Sequence, residues 1–262
     1  MNKKNILISV IMNCHNGEKF LNKSVKSVLD QSYKNWELIF WDNKSTDNSK
    51  KIIKNFKDNR IKYFYSKNFF TLYKSRNLAI KKAKGKYISF LDTDDLWKKR
   101  YLNQFIKKIK RDNCDIVCCK YDVLFHSKKF TKIIEKKILP KILSTQLLLN
   151  NYIIGINAIM IKRNIFLKYK FNEKYNVIGD FDLFIRLSSL YKIFFLNTSL
   201  AIYRSHRDNF SNKYLNLYIN ELSNWLIYFT KYRNNKFDLK KVKLLILKLK
   251  LKNLMRKFRN FF

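Results

Sequence analysis

The sequence predicts an α/β fold, a mostly parallel central sheet flanked by helices, with a C-terminal helical tail. Three observations predict it. From Ile6 to Leu91, short apolar runs alternate with helical stretches, the cadence of βαβ units. Two of those runs end in polar, Asp-containing loops, where open α/β sheets gather their ligands. Beyond Lys213 the pattern is helical only, so the chain divides into a domain over 1–212 and a basic amphipathic tail over 213–262.

Taken in order, Ile6 to Met12 is a continuous apolar strand followed by the loop Asn13 to Gly17. Glu18 to Gln31 places Leu21, Val25, Val28 and Leu29 on one helical face. Trp36 to Trp41 is the second strand. It ends at Asp42 to Asp47, where Ser45 or Thr46 can cap a helix running to Phe56. Ile61 to Tyr65 is the third strand, and Thr71 to Lys84 a helix with Gly85 placed as its left-handed terminator. Tyr87 to Leu91 is then a buried strand that runs straight into Asp92, Asp94 and Asp95. Three carboxylates so close repel one another unless a cation or a hydrogen-bonding ligand holds them. Oxygen ligands suit Mg²⁺ or Mn²⁺, with substrate phosphates completing the shell. The alternative is that Asp92 and Asp94 cap a following helix.

The chain has 262 residues, 47% of them apolar, enough for a sizeable core. Lys and Arg number 56 against 19 Asp and Glu, a net charge of +37 that predicts attraction to phosphates. A nucleic-acid-binding protein is therefore a rival reading, but Asp clusters repel a phosphate backbone unless metal is present, so nucleic acid is not an expected partner. Cys14, Cys114, Cys118 and Cys119 lack a disulfide-framework spacing, and no cleavable signal precedes the first strand, which predicts a reducing, cytoplasmic setting. A zinc site from three of these cysteines and His126 is set aside, because Cys118 and Cys119 lie inside an apolar strand pattern and read as buried thiols.

Ser9 to Met12 with Asn16, then WELIFWDNKSTDNS (36–49), Arg76-Asn77 and GKYISFLDTDDLW (85–97) resemble, in order and spacing, the motifs of family 2 glycosyltransferases of the GT-A fold. GDFDLFIRL (179–187) is similar to that family's acceptor-side motif, and Tyr203 to His206 to its closing one. The resemblance implies an inverting, metal-dependent transfer of a sugar from a nucleoside-diphosphate sugar to a saccharide or lipid-linked saccharide, as in bacterial surface-polysaccharide or lipopolysaccharide synthesis. It implies Asp94 and His206 as metal ligands, for Mg²⁺ or Mn²⁺. Asn13, His15, Asp42, Asn43, Arg76 and Asp92 would surround the nucleotide sugar, and Asp180 would be the general base. The structural alternatives are a helix N-cap for Asp180 and a surface cation for Arg76. Asp182 and Arg186 read as an intrahelical pair.

Departures from the family pattern are Asn43 in place of a second Asp, Asn13 and His15 in the first loop, and Gly179 in place of an acid. They motivate a third reading, a catalytically degenerate relative that only binds nucleotide sugar. The insert 120–151 and the turn 152–157 are expected on the acceptor side, where Tyr152, Tyr175 and Phe181 either stack on sugars or pack. In the tail, Leu244, Leu247, Leu251, Leu254, Met255, Phe258 and Phe262 form an apolar stripe flanked by Lys241, Lys248, Lys252 and Arg259 and by Lys243, Lys250 and Lys257. That pattern suits a helix over 239–262 lying on an anionic membrane surface, at the inner face of the cell membrane. Its alternative is a terminal helix packed on the domain.

Overall fold

The computed structural model describes residues 5–125, 130–133, 138–232 and 236–259. His126 and Phe262, and two short pieces of the 120–151 insert, fall outside them. Four expected strands form within two residues of their expected ends: β1 (Ile8–Cys14), β2 (Trp36–Asp42), β3 (Ile61–Tyr65) and β4 (Tyr87–Phe90). Between them lie α1 (Glu18–Leu29), α2 (Ser49–Asn55) and α3 (Leu72–Lys82). There follow β5 (Leu96–Trp97), α4 (Tyr101–Asp112), β6 (Ile116–Phe125), β7 (Phe130–Ile133), β8 (Ile142–Leu143) and α5 (Thr145–Asn150). A 3-10 turn (Ile156–Ala158) leads to β9 (Ile159–Lys162), α6 (Arg163–Lys168), α7 (Gly179–Ser188) and β10 (Ile193–Ser205). The chain then turns helical through α8 (Phe210–Lys213), α9 (Leu215–Tyr232) and α10 (Lys240–Arg259).

The sheet order is β3-β2-β1-β4-β9-β6-β10-β5, with β7 beside β6 and β8 beside β10. The first four strands are mutually parallel, and β6 and β10 form a second parallel ladder. Between them β9 runs antiparallel to both β4 and β6. Side chains alternate across the sheet as the two-residue period demands. Ile8, Val10 and Met12 join the core under α1 and α4, whereas Ile11, Ile39 and Ile88 join the core under α3, α6 and α7. Cys118 and Cys119 are buried on opposite faces of β6 as free thiols.

Three local expectations are corrected. Gly85 is not a left-handed terminator: no glycine has positive φ, and α3 ends at extended Ala83. Gly85 is required because its backbone lies against β1, where an added Cβ would sit 2.4 Å from Ser9 N. Its N–H donates to Ser9 Oγ, which donates to buried Glu37. Asp92 and Asp94 cap no helix, since β5 intervenes before α4. Neither Ser45 nor Thr46 caps α2; Asp47 Oδ1 accepts from Ser49 N, while Ser45 N donates to Asp42.

The chain beyond 213 does not stand apart from the sheet. Leu222, Trp225 and Phe229 of α9, and Val242 and Ile246 of α10, belong to the same core as α7. With that face of α10 occupied, the opposite face leaves Leu244, Leu247, Leu251, Leu254 and Met255 between 41% and 61% exposed. No helix among the described residues is long and apolar enough to cross a membrane.

Candidate active site

Strand ends, loops and helix turns converge on one cavity of about 400 Å³ at the C-terminal edge of the parallel strands. Asn13 lies near the end of β1 and His15 just beyond it, Asn43 follows β2, and Asp92 to Asp94 follow β4. Tyr73 and Arg76 come from the first turns of α3, Asp180 from the start of α7, Asp208 and Asn209 from the loop after β10, and Phe210 and Ser211 from α8.

The three carboxylates after β4 have separate fates. Asp92 accepts from Arg76 Nη2 at 2.7 and 2.9 Å, with the Arg76 side chain only 3% exposed. Arg76 is therefore no surface cation; it stands under the site and orients Asp92. Asp94 Oδ2 lies 2.9 Å from His206 Nε2, and Asn209 Nδ2 donates to the same oxygen at 3.3 Å. Asp95 turns inward, accepting from Arg204 N at 2.9 Å and from Asn157 Nδ2 at 2.7 Å. Burial, with Asp94 and Asp92 beside it, pushes its carboxyl well above the usual range. The mutual repulsion expected of the trio is thus relieved by burying one member and pairing the other two.

No group of three or more His, Cys, Asp or Glu side chains forms a metal cage among the described residues. Asp94 and His206 nevertheless converge as one carboxylate and one imidazole. His206 Nδ1 is buried without a hydrogen bond, 3.9 Å from Asp208 Oδ2, which suits a carboxylate behind a metal-binding imidazole. Two protein donors completed by phosphate oxygens and water fit Mg²⁺ or Mn²⁺.

On the side where the nucleotide is expected, Asn13 presents both amide atoms buried and without a partner, polar groups that demand a ligand or water. His15 Nδ1 donates to Asn43 O at 3.0 Å, which leaves Nε2 open, and its ring lies 4.6 Å from that of Phe69. Phe69 is 59% exposed and gives the cavity an aromatic wall that sequence reasoning missed. The Asn43 amide is spent: it donates to Phe70 O at 2.8 Å and accepts from Phe70 N at 3.1 Å. Asp42 does not line the cavity. Its oxygens accept from Tyr63 Oη at 2.7 Å and Ser45 N at 2.8 Å, so it shapes the loop from behind.

Asp180 sits in the first turn of α7, Oδ1 accepting from Phe181 N at 2.8 Å with Tyr73 Oη at 3.1 Å. Burial raises its carboxyl above the ordinary range, and Arg76 pulls the other way. Gly179 lacks a side chain because Tyr73 fills its place: an added Cβ would meet that ring at 2.5 Å. The preceding loop is held by Glu221 of α9, whose carboxylate accepts from Asn176, Val177 and Ile178 N–H at 2.7, 2.9 and 3.2 Å. Tyr73 and Glu221 are the positioning residues that sequence reasoning missed, because each lies far along the chain from Asp180. Tyr152 packs edge-on to Phe181, and Phe181 on Trp225, so both are packing residues. Asp182 pairs with Arg186 at 2.9 Å within the helix.

Glycosyl transferase family 2 matches residues 9–181. The chain is 32% identical over 165 residues to the UDP-Glc:alpha-D-GlcNAc-diphosphoundecaprenol beta-1,3-glucosyltransferase WfgD of Escherichia coli, covering 63% of this chain and 64% of that protein. It is 33% identical over 159 residues to a putative teichuronic acid biosynthesis glycosyltransferase, TuaG, of Bacillus subtilis, covering 60% and 62%. It thus spans under two thirds of either relative. Among solved structures, the mannosyltransferase PcManGT of Pyrobaculum calidifontis, in complex with GDP-Man and Mn²⁺, superposes with a TM-score of 0.66 at 14% identity, over 93% of this chain and 70% of that one. The chain belongs to glycosyl transferase family 2 and has the GT-A fold.

Proposed function

We propose that this protein moves a sugar from a nucleoside-diphosphate sugar onto a saccharide carried by a lipid diphosphate, in the assembly of a surface polysaccharide. The observation that carries this reading is the convergence of Asp92, Asp94 and Asp180 on one cavity, with His206 paired to Asp94 at its edge. Asp94 and His206 would hold a divalent cation, which when bound neutralises the leaving diphosphate. Asn13 and the His15–Phe69 wall would take the nucleoside, and Asp92, braced by Arg76, the ribose or the sugar.

The acceptor hydroxyl then attacks the anomeric carbon from the side opposite the diphosphate. The new C–O bond forms as the old one breaks, so configuration inverts. The proton passes to Asp180, whose Oδ1 is already occupied, leaving Oδ2 to receive it. A base raised by burial is better matched to that task than an ordinary carboxylate. Tyr73 filling the space over Gly179 supports a working base rather than a degenerate site. The exposed apolar face of α10, rimmed by lysines, supports docking on an anionic membrane at its cytoplasmic side, where lipid-linked acceptors lie.

The test is the Asp180→Asn variant assayed with a UDP-sugar panel and a lipid-diphosphate acceptor. Transfer should fall by about 10³-fold while nucleotide affinity holds. Undiminished transfer would remove Asp180 from the mechanism.

A further inference from the structure

A second cavity, of about 560 Å³, opens behind the His206 loop. Lys19 at the start of α1, Arg207 and Arg256 line it, together with Phe125, Ser205, His206, Asp208 and Asn212. Three permanent cations face one carboxylate, so the cavity favours an anion. Asp208 lines both this cavity and the catalytic one, making them neighbours across a single loop.

The third cation is brought by α10. Arg256 Nη1 donates to Asn212 O at 2.8 Å, and Lys252 Nζ lies 3.5 Å from Asn212 Oδ1. Those contacts use one of the several donors on Arg256 and leave the guanidinium able to take a phosphate, which it matches in geometry. Leu251, Leu254 and Met255, on the same stretch of helix, are exposed. They lie roughly 100° to 160° round the helix from Arg256, so the apolar stripe and the cavity are on different sides of α10. A diphosphate has the charge to engage three cations at once, and the acceptor proposed above carries one.

We infer that the cavity lined by Lys19, Arg207 and Arg256 binds the diphosphate of the lipid-linked acceptor, holding its saccharide toward Asp180. The inference rests on the transferase reading above for what the site serves. Because His206 lines this cavity too, the acceptor's diphosphate would sit beside the donor's position at Asp94 and His206, across the Asp208 loop.

The probe is farnesyl diphosphate, titrated in EDTA so that metal-dependent binding at Asp94 is silent, and followed by calorimetry. Wild type should bind it, and prenyl alcohol of the same length far more weakly. Arg207→Gln, an exposed position, should weaken the diphosphate about ten-fold, and Arg207→Gln with Arg256→Gln about a hundred-fold. UDP binding with Mn²⁺ should stay within two-fold in both variants. No binding by wild type, or equal binding by the double variant, would overturn the assignment. Displacement by short-chain phosphatidylglycerol at equal concentration would do the same, making the cavity a general headgroup site. A wild type that bound farnesyl diphosphate but no nucleoside diphosphate would instead sink the transferase reading and leave this anion site standing.

Discussion

At the scale of single residues, the surroundings of Asp180 suit the base proposed for it. Burial raises it, the Phe181 N–H and the Tyr73 hydroxyl steady the charged form, and Arg76 keeps the rise in check. The Tyr73 hydrogen bond lowers the carboxyl, so its loss raises it. In the proposed mechanism Asp180 works deprotonated, so activity should fail as pH drops through its pKa. Tyr73→Phe should therefore move the acid limb of the rate profile to higher pH and cut kcat about ten-fold, with donor affinity unchanged. An acid limb that stayed put, or moved down, would deny the contact. The residues with the most local signal were legible in the sequence: Asp92, Asp94, Asp180 and His206 all line or adjoin the cavity. Asp42 and Asn43 were legible as loop residues but not as scaffolding, because the partners that spend their polar atoms, Tyr63 and Phe70, are 21 and 27 residues away.

At the scale of elements, the strands with continuous apolar runs were read within two residues, whereas β9 and β10 were not anticipated. β9 has four residues and runs against the parallel grain, and β10 is bulged between Leu196 and Ala201, which breaks its alternation. The helices after 213 were visible as helices, but their packing was not. α9 carries Glu221, whose carboxylate ties down the loop before α7, and Trp225, whose indole donates to Asp182 at 3.2 Å. α10 spends one face on the core through Val242 and Ile246 and leaves the opposite one bare. Replacing Leu247, Leu251 and Leu254 together with Glu tests that face, since none of them contributes to the core. Sedimentation with phosphatidylglycerol vesicles should fall well over ten-fold while the melting temperature is retained. Undiminished sedimentation would leave α10 without a membrane role.

At the scale of the molecule, a net charge of +37 is set against a candidate active-site cavity walled by Asp92, Asp94, Asp180 and Asp208. A phosphate-bearing ligand is drawn in by the surrounding field and, on this account, is accepted at the acidic centre only with a cation in attendance. The fold delivers the two sides of that arrangement from distant parts of the chain: Asp94 lies after β4 and His206 after β10, and they meet at 2.9 Å.

The most direct measurement is calorimetric titration of the protein with nucleoside diphosphates of different bases, with and without Mn²⁺, repeated on Asp94→Ala. The account predicts binding of one base that strengthens at least ten-fold with Mn²⁺ in the wild type and gains nothing from the metal in the variant. Absence of binding for every base, or binding indifferent to both the metal and Asp94, would contradict it.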